Sequence, residues 1–483
     1  MSIIRQLLGS IFLLSCLATA AHAQGAGPLN DTDAIARGRY LATAADCAAC
    51  HAEQKKDGSP FGGGMPIASP MGVIFASNIT PDKEHGIGNW TFQQFSDAVR
   101  KGRSPSKGYL YPAMPYTSYA NMSDADVHAV YAYLMQSVAP SANQPKQTHL
   151  PFPFIRQAMF GWDFLFLHAD ANAASMASAA PGSVERGRYV GEALEHCSAC
   201  HTPRNTLYAE DTSKLLSGAQ VGNWYAPNIT PDKTGIGNWS DAELVQFLSE
   251  GHNAHAVAGG DMGLAVSRSL SKLKPDDMQA LVKYLRSVPA IATPGAAQAA
   301  TAADGAVKGP QVNIASVEPQ HKKDLATLTD SGSVDGARLF EASCASCHGA
   351  SGGGSSDGQH PDLATNSSVL MHAPDNLIMT IVEGVHRNIN GQETAMPGFA
   401  SEFNDAQIAA IATYVRGSIG GNSASAITAA DVSRARAGDV QDSWLIRSAG
   451  LLTIVALIVA LIVLIAIVLF IRRSFARTRS SSH

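Results

Sequence analysis

Five residues recur three times along this chain: Cys47-Ala48-Ala49-Cys50-His51, Cys197-Ser198-Ala199-Cys200-His201 and Cys344-Ala345-Ser346-Cys347-His348. Two thiols spaced this way sit about one helical turn apart, so both can be tied to one edge of a flat macrocycle. The His directly after the second Cys then comes beneath the ring. Cys-x-x-Cys-His is the attachment signature of a c-type haem, the thiols forming thioethers and the imidazole serving as proximal iron ligand. Six of the seven cysteines fall in these copies, and the seventh is Cys16 near the N-terminus.

Two other uses of Cys-x-x-Cys are excluded by context. A thioredoxin-like redox pair wants a βαβ setting, and a structural zinc wants a second Cys or His pair at short spacing. Each motif here stands alone in its own stretch. No Gly-rich dinucleotide fingerprint, Walker motif or Ser/His/Asp arrangement accompanies them. Gly352-Gly353-Gly354 follows a haem motif and not a strand, so it does not qualify as a phosphate loop. Electron carriage is provided for, and catalysis on an organic substrate is not.

The two ends concentrate apolar residues. Arg5, the run Leu7–Leu17 and Ala21-His22-Ala23 have the layout of a secretory signal, predicting residues 1–23 as a leader cleaved after Ala23. Leu13-Leu14-Ser15-Cys16 offers a weaker lipoprotein alternative. At the other end, Leu451–Ile471 is 21 residues without a charge, enough at about 1.5 Å per residue to cross a hydrocarbon core of about 30 Å. Arg472, Arg473, Arg477 and Arg479 follow, so the positive-inside rule predicts a cytoplasmic tail at 472–483 and a periplasmic body on the inner membrane. Between positions 24 and 443 there are 29 basic against 40 acidic residues. That acidic balance argues against nucleic acid or anionic lipid as the partner of its surface.

The body repeats. Arg37-Gly38-Arg39-Tyr40 returns as Arg186-Gly187-Arg188-Tyr189, Asn78-Ile79-Thr80-Pro81-Asp82-Lys83 as Asn228 to Lys233, and Gly86-Ile87-Gly88-Asn89-Trp90 as Gly235 to Trp239, always 149 or 150 residues on. Such a constant shift marks an internal duplication. In each copy Gly lets another helix approach, and Tyr40 is expected to pack across that crossing. Ser123-Asp124-Ala125-Asp126 predicts a helix start, and Val127 to Leu134 carries apolar residues at helical spacing. A shorter third copy opens at Gly336-Ala337-Arg338 and closes with Asn404 to Ile419, without the two inserts. Its electron environment should therefore differ.

The expected fold is all-α: domain one over 24–144, an aromatic segment and linker over 145–183, domain two over 184–289, a linker over 290–332, domain three over 333–420 and a transmembrane helix over 451–471. Ala/Ser-rich Ala169–Ser183 and Ala/Gly/Thr-rich Ala290–Gly309 read as flexible connectors. Leu150 to Leu167 is too aromatic for a solvated loop. It either packs on its own domain or forms a docking surface for a partner subunit or the bilayer interface.

A proximal His leaves the other face of the iron open, and a thioether there raises the potential. Met114 in Tyr-Pro-Ala-Met-Pro-Tyr, Met262 in Gly-Gly-Asp-Met-Gly and Met396 in Ala-Met-Pro-Gly-Phe follow their His residues by 63, 61 and 48 positions. Their Pro and Gly neighbours predict fixed loops. His252 and His255 compete with Met262 as ligands. Met65, Met71, Met371 and Met379 are rivals, whereas Met135 and Met278 belong to the closing helices. Arg100, Arg103, Trp90 and Trp239 could serve haem propionates, with ordinary surface or core roles equally open.

The three motifs, the N-I-T-P-D and Y-P-A-M-P-Y stretches, Cys200-His201-Thr202-Pro203-Arg204 and the C-terminal anchor resemble, over nearly the whole chain, one family. It is that of the triheme cytochrome c subunits of membrane-bound periplasmic dehydrogenases, closest to the FAD-dependent fructose, gluconate and sorbitol type. The resemblance implies three cytochrome c-type domains in tandem and three covalently bound haem c groups. It also implies electrons taken from the flavin of a catalytic dehydrogenase subunit and delivered to ubiquinone. Leu150 to Phe154 and the anchor look like the fructose-dehydrogenase branch. The cytochrome subunit of PQQ-dependent alcohol dehydrogenase is the second reading. A free-standing membrane cytochrome and a haem peroxidase with an open sixth position are others.

Overall fold

The computed structural model describes residues 31–293, 332–355, 360–389, 391–422, 426–438 and 444–480. The expected leader with Cys16, and most of the second linker, lie outside the described residues.

In each haem domain an opening helix crosses a closing helix at a glycine. The first pair is Thr32–Ala44 and Asp124–Ser137, the closing helix starting from Ser123, whose hydroxyl accepts from the Asp126 amide as an N-cap. A Cβ on Gly38 would overlap the Ala129 carbonyl oxygen, one on Gly187 that of Ala280, and one on Gly336 that of Ala410. The backbones meet where only hydrogen fits. Closing helices two and three are Pro275–Ser287 and Asp405–Tyr414.

The second opening helix holds one residue more between its tyrosine and its first motif Cys than the first does (Tyr189 to Cys197 against Tyr40 to Cys47). Val184–Arg188 runs into a π-helical turn over Tyr189–Leu194, which absorbs the extra residue without breaking the helix.

Helices dominate, yet the fold is not purely all-α. Among the described residues four antiparallel two-stranded ribbons form, including Pro66–Ser69 with Gly72–Phe75, Ala219–Val221 with Trp224–Ala226, and Val385–Ile389 with Gln392–Met396. Short β-branched runs around tight Gly turns take this form where no helix face is available to bury them.

The three domains do not pack alike. Leu41, Val127 and Leu134 of domain one belong to the same buried cluster as Tyr189, Leu194 and Leu281 of domain two. Leu339, Phe340, Ile378 and Ile411 form a separate core in domain three. The first two domains are thus fused through one core, and the third is added to them.

Tyr40 does more than pack across its own helix crossing. Its hydroxyl reaches domain two, donating to Asp277 Oδ2 at 2.5 Å and accepting from the Lys274 amide at 3.4 Å. Tyr189 returns the contact, donating to Asp126 Oδ2 at 2.6 Å and accepting from the Ser123 amide at 3.3 Å. Each carboxylate also holds its own domain's arginine: Arg37 Nε on Asp126 at 2.7 Å, Arg186 Nε on Asp277 at 2.6 Å. The duplication has produced a pseudo-two-fold interface.

Ala169–Ser183 is not a loose connector either. Ala173–Ala177 is a helical turn, Met176 is buried in the shared core, and the Ala177 carbonyl accepts from Arg186. Small residues here let the chain lie close against both domains. The C-terminal helix runs Trp444–Ser480, with Ile446–Phe470 long and apolar enough to cross a membrane and unburied by the rest of the protein.

Candidate haem-binding sites

Each motif forms a short helix, Cys47–His51, Ser198–His201 and Ala345–His348, and none of the six thiols is in a disulfide. Asp46 and His196, just before the first two motifs, adopt left-handed backbone (φ 47° and 40°) that turns the chain from opening helix into motif.

The three proximal histidines are oriented alike. His51 Nδ1 lies 2.6 Å from the Ser77 carbonyl, His201 Nδ1 2.7 Å from the Pro227 carbonyl and His348 Nδ1 3.2 Å from the Pro361 carbonyl. A carbonyl can only accept, so Nδ1 carries the proton and Nε2 keeps its lone pair for a metal. Burial lowers the pKa of all three, against the pull of the carbonyl, which keeps them neutral.

The repeated N-I-T-P stretch explains how those carbonyls are placed. Asn78 Oδ1 accepts from Thr80 N at 2.9 Å and Thr80 Oγ1 at 2.7 Å, while its Nδ2 donates to the Ser141 and Asn143 carbonyls. Asn228 likewise accepts from Thr230 N and Oγ1, and its Nδ2 donates to the Ile291 carbonyl and the Thr293 hydroxyl. The acceptors Ser77 and Pro227 immediately precede these asparagines. The insert pins the segment, just beyond each strand, that aims the histidine, and domain three, lacking it, uses a carbonyl nearer in sequence, that of Pro361. This role is not legible in the sequence, because an acceptor carbonyl has no side-chain signature.

A cavity of about 1850 Å³ runs through the first two sites, lined by Cys47, Cys50, His51 and Met114, and by Cys197, Cys200, His201 and Met262. That exceeds the about 300–1,000 Å³ of a single small-molecule pocket, as two haem sites sharing one wall require. Trp90 and Trp239 line it, and Arg100 and Arg103 do not. Arg100 instead pairs with Asp124 at 2.5 Å, and Arg103 lies over the Tyr109 ring. Met65, Met71 and Met371 also line the cavity, whereas Met379 is buried in the third core.

Only Met114 sits in a turn as expected. Met262 is in the first turn of a helix, Gly260–Arg268, and Met396 ends the second strand of the third ribbon. Gly259 and Gly260 let that helix start abruptly, so the glycines mark an N-terminus and not a loop. His255 is committed elsewhere: its ring stacks on Trp239 at 5.3 Å and Nε2 meets Glu243 Oε1 at 3.0 Å. His252 is half-buried, with Nδ1 turned to the Glu250 carbonyl.

Two acids missed by sequence reasoning lie between the first two motifs. Burial pushes Asp46 up to about 7, partly offset by Arg268 and Lys272. Burial also raises Glu195, against donation from Ser269 Oγ at 2.7 Å. Arg268, at the end of the Met262 helix, caps the first motif by donating to the Ala48 and Ala49 carbonyls at 2.8 and 3.1 Å. Domain two thereby holds domain one's motif in place.

Free paired thiols, neutral imidazoles with Nε2 available and an apolar cavity fit covalent haem. The molecule is a multihaem cytochrome carrying three covalent haem c groups. The cytochrome c family model matches residues 35–137, 184–289 and 333–418. The chain is 43% identical over 413 residues to the fructose dehydrogenase cytochrome subunit of Gluconobacter japonicus, covering 84% of this chain and 83% of that one. It is 37% identical to the gluconate 2-dehydrogenase cytochrome c subunit of Pantoea cypripedii, covering 83% and 89% respectively. It is 33% identical to the cytochrome c subunit of the quinone alcohol dehydrogenase of Gluconobacter oxydans, covering 92% and 91%. The chain belongs to the cytochrome c family, among the cytochrome subunits of dehydrogenase complexes.

Proposed function

We propose that this subunit takes electrons from a membrane-bound, FAD-dependent dehydrogenase of sugars, polyols or sugar acids and passes them through its haems to ubiquinone. It works on the periplasmic face of the inner membrane, held by the C-terminal helix with Arg472, Arg473, Arg477 and Arg479 on the cytoplasmic side. The observation that carries the reading is the pairing of three haem motifs with one membrane-spanning helix in a relative of the fructose dehydrogenase subunit.

Bound haem c supplies a one-electron Fe(III)/Fe(II) couple at each site. The protein's part is to hold it by Cys47 and Cys50, Cys197 and Cys200, and Cys344 and Cys347. His51, His201 and His348 would ligate the iron through Nε2, and Met114, Met262 and Met396 would supply its second protein ligand. The apolar walls exclude water and favour the less charged, reduced state. A Met ligand in addition to the His at each iron would leave no open position for peroxide chemistry.

The test is to extract the complex in mild detergent, isolate it through this subunit and identify the organic cofactor that accompanies it. Flavin, with substrate-dependent reduction of a soluble ubiquinone, is the expected result. Pyrroloquinoline quinone would instead support the alcohol-dehydrogenase reading, which the 92% coverage by the G. oxydans subunit favours. Neither cofactor would leave a free-standing cytochrome. Replacement of Met262 by Ala should abolish the near-infrared band of Met-ligated ferric haem at one site only.

A further inference from the structure

The aromatic segment has two faces with different fates. Its inner face packs on domain one: Asp163 Oδ1 accepts from the buried Tyr116 hydroxyl at 2.7 Å, Trp162 meets the Tyr116 ring edge-on, and the Phe154 carbonyl accepts from Tyr111. Its outer face is bare. Phe152, Ile155, Phe160, Phe164 and Leu165 are exposed, Phe164 to 77%. Phe160 and Phe164 are four apart on the helix Met159–Phe166, so they share one side.

The bare face is continuous with the membrane-spanning helix. Gly450 lies against the Phe152 carbonyl, its Cβ position 3.5 Å from the oxygen. Ile446, Ala449, Leu452 and Thr453 face the same cavity as Leu150, Pro153 and Phe154. Immediately beyond, the helix is unburied and apolar through Phe470. The border is aromatic and basic: Arg156 lies over the Tyr111 ring and donates to the Tyr109 carbonyl, Arg103 lies over Tyr109, and Tyr109 meets Phe160 edge-on. Aromatic residues backed by arginines are what the boundary between headgroups and acyl chains accommodates.

We propose that this face is a second membrane contact, inserted at the headgroup–acyl boundary of the leaflet the spanning helix enters. The anchor fixes the chain to the bilayer at one point. The aromatic face fixes its orientation, laying domain one on the surface with the Leu150, Pro153 and Phe154 wall of the haem cavity at lipid level.

The six motif thiols are consumed by haem, so in the full-length holoprotein with Cys16→Ser, Phe164→Cys supplies a unique thiol on an exposed position. A nitroxide attached there, with the subunit in phosphatidylethanolamine/phosphatidylglycerol nanodiscs, is read by electron paramagnetic resonance for collision with oxygen and with a water-soluble nickel chelate. The same label at Glu84→Cys, an exposed loop site, is the reference, and the haem spectrum checks folding. The expected result is a chelate collision rate at least about ten-fold lower at position 164 than at 84, with oxygen access retained. Equal chelate access at both positions overturns the proposal. Chelate exclusion that appears only when the dehydrogenase partner is bound assigns the face to protein and overturns it equally.

Discussion

Domains one and two are joined largely side chain to side chain, whereas the polar bonds that join domain three to domain two mostly end on domain two's backbone. Across the first junction, two tyrosine hydroxyls and two arginines converge on Asp126 and Asp277, beneath a shared apolar core. Across the second, Asn376 exchanges a pair of hydrogen bonds with the Tyr225 backbone, Ser367 N donates to the His255 carbonyl, and Arg387 donates to the Ala258 carbonyl. The difference follows from sequence at matched positions. Where domains one and two carry Arg-Gly-Arg-Tyr, domain three has Asp335-Gly336-Ala337-Arg338, and where they carry Asp126 and Asp277 it has Gln407. A duplicated pair can bury charges because each copy supplies the other's partner. A third copy has no such mate, and Arg387, buried at its junction, is met by the Ala258 carbonyl instead of a carboxylate.

Removing haem should break this comparison most severely. Cys197→Ala with Cys200→Ala is expected to lower the pyridine haemochrome count from three haems per chain to two and to lower the thermal transition of domain one as well, because core and motif cap are shared. Cys344→Ala with Cys347→Ala should also give two haems, while domains one and two melt as before. Equal effects of the two double variants on domain one would remove the distinction between fused pair and added module.

The next largest effect should come from the carboxylates. Arg186 and Asp277 are both largely buried, with side chains 12% and 8% exposed, whereas Arg37 beside Asp126 is 53% exposed. Losing one partner of a buried pair costs about 3–5 kcal/mol, and an exposed pair contributes about 0–1 kcal/mol. Asp277→Asn should therefore destabilise the pair by about 3 kcal/mol in denaturant unfolding, clearly more than Asp126→Asn. Equal losses would mean that the tyrosine bonds, not the ion pairs, dominate.

Acid should act on the same group. Burial raises Asp277, but donation from Arg186 and Tyr40 outweighs it and leaves the carboxyl below its ordinary 3.8. A lowered folded-state pKa contributes stability that is complete above about pH 4–5 and is lost as pH falls through the lowered value. Acid unfolding of domains one and two should thus show a downturn below pH 4 that Asp277→Asn flattens. An unchanged acid limb in the variant would remove Asp277 from the account.

How much of this could be read from the chain depended on whether a residue acts through its side chain and within its own repeat. The haem motifs, the glycine crossings, the Ser123 cap and the long apolar C-terminal helix all do, and they were legible. Tyr40 lies on the helix face that looks ready to pack at home, and nothing local says that its hydroxyl leaves for Asp277. The Ser77, Pro227 and Pro361 carbonyls are backbone, so no residue type announces them. Ala173–Ala177 read as linker because alanine and serine are compositionally loose, yet small side chains also suit close packing. Met262 read as a loop residue because glycines flank helix starts and loops alike.

The smallest effect tests the comparison at its sharpest, since it predicts opposite signs at matched positions. Gln407 is 2% exposed, its Oε1 accepts from the Asn404 amide at 3.1 Å, and its Nε2 has no hydrogen-bond partner. Gln407→Leu forfeits the amide bond, which is worth about 0.5–1.5 kcal/mol and is partly replaced by water because Asn404 is exposed. It also relieves a buried unpaired donor, a penalty of about 1–3 kcal/mol. The balance favours the variant by about 1 kcal/mol. Asp126→Leu makes the same apolar change at the matched position, but strands the Tyr189 hydroxyl and the Arg37 guanidinium, so it must destabilise. Denaturant unfolding of the two variants, followed through the far-ultraviolet signal of their own domains, should move the midpoints in opposite directions. A loss at both positions would mean that the glutamine is satisfied in solution and that domain three retains a polar junction of its own.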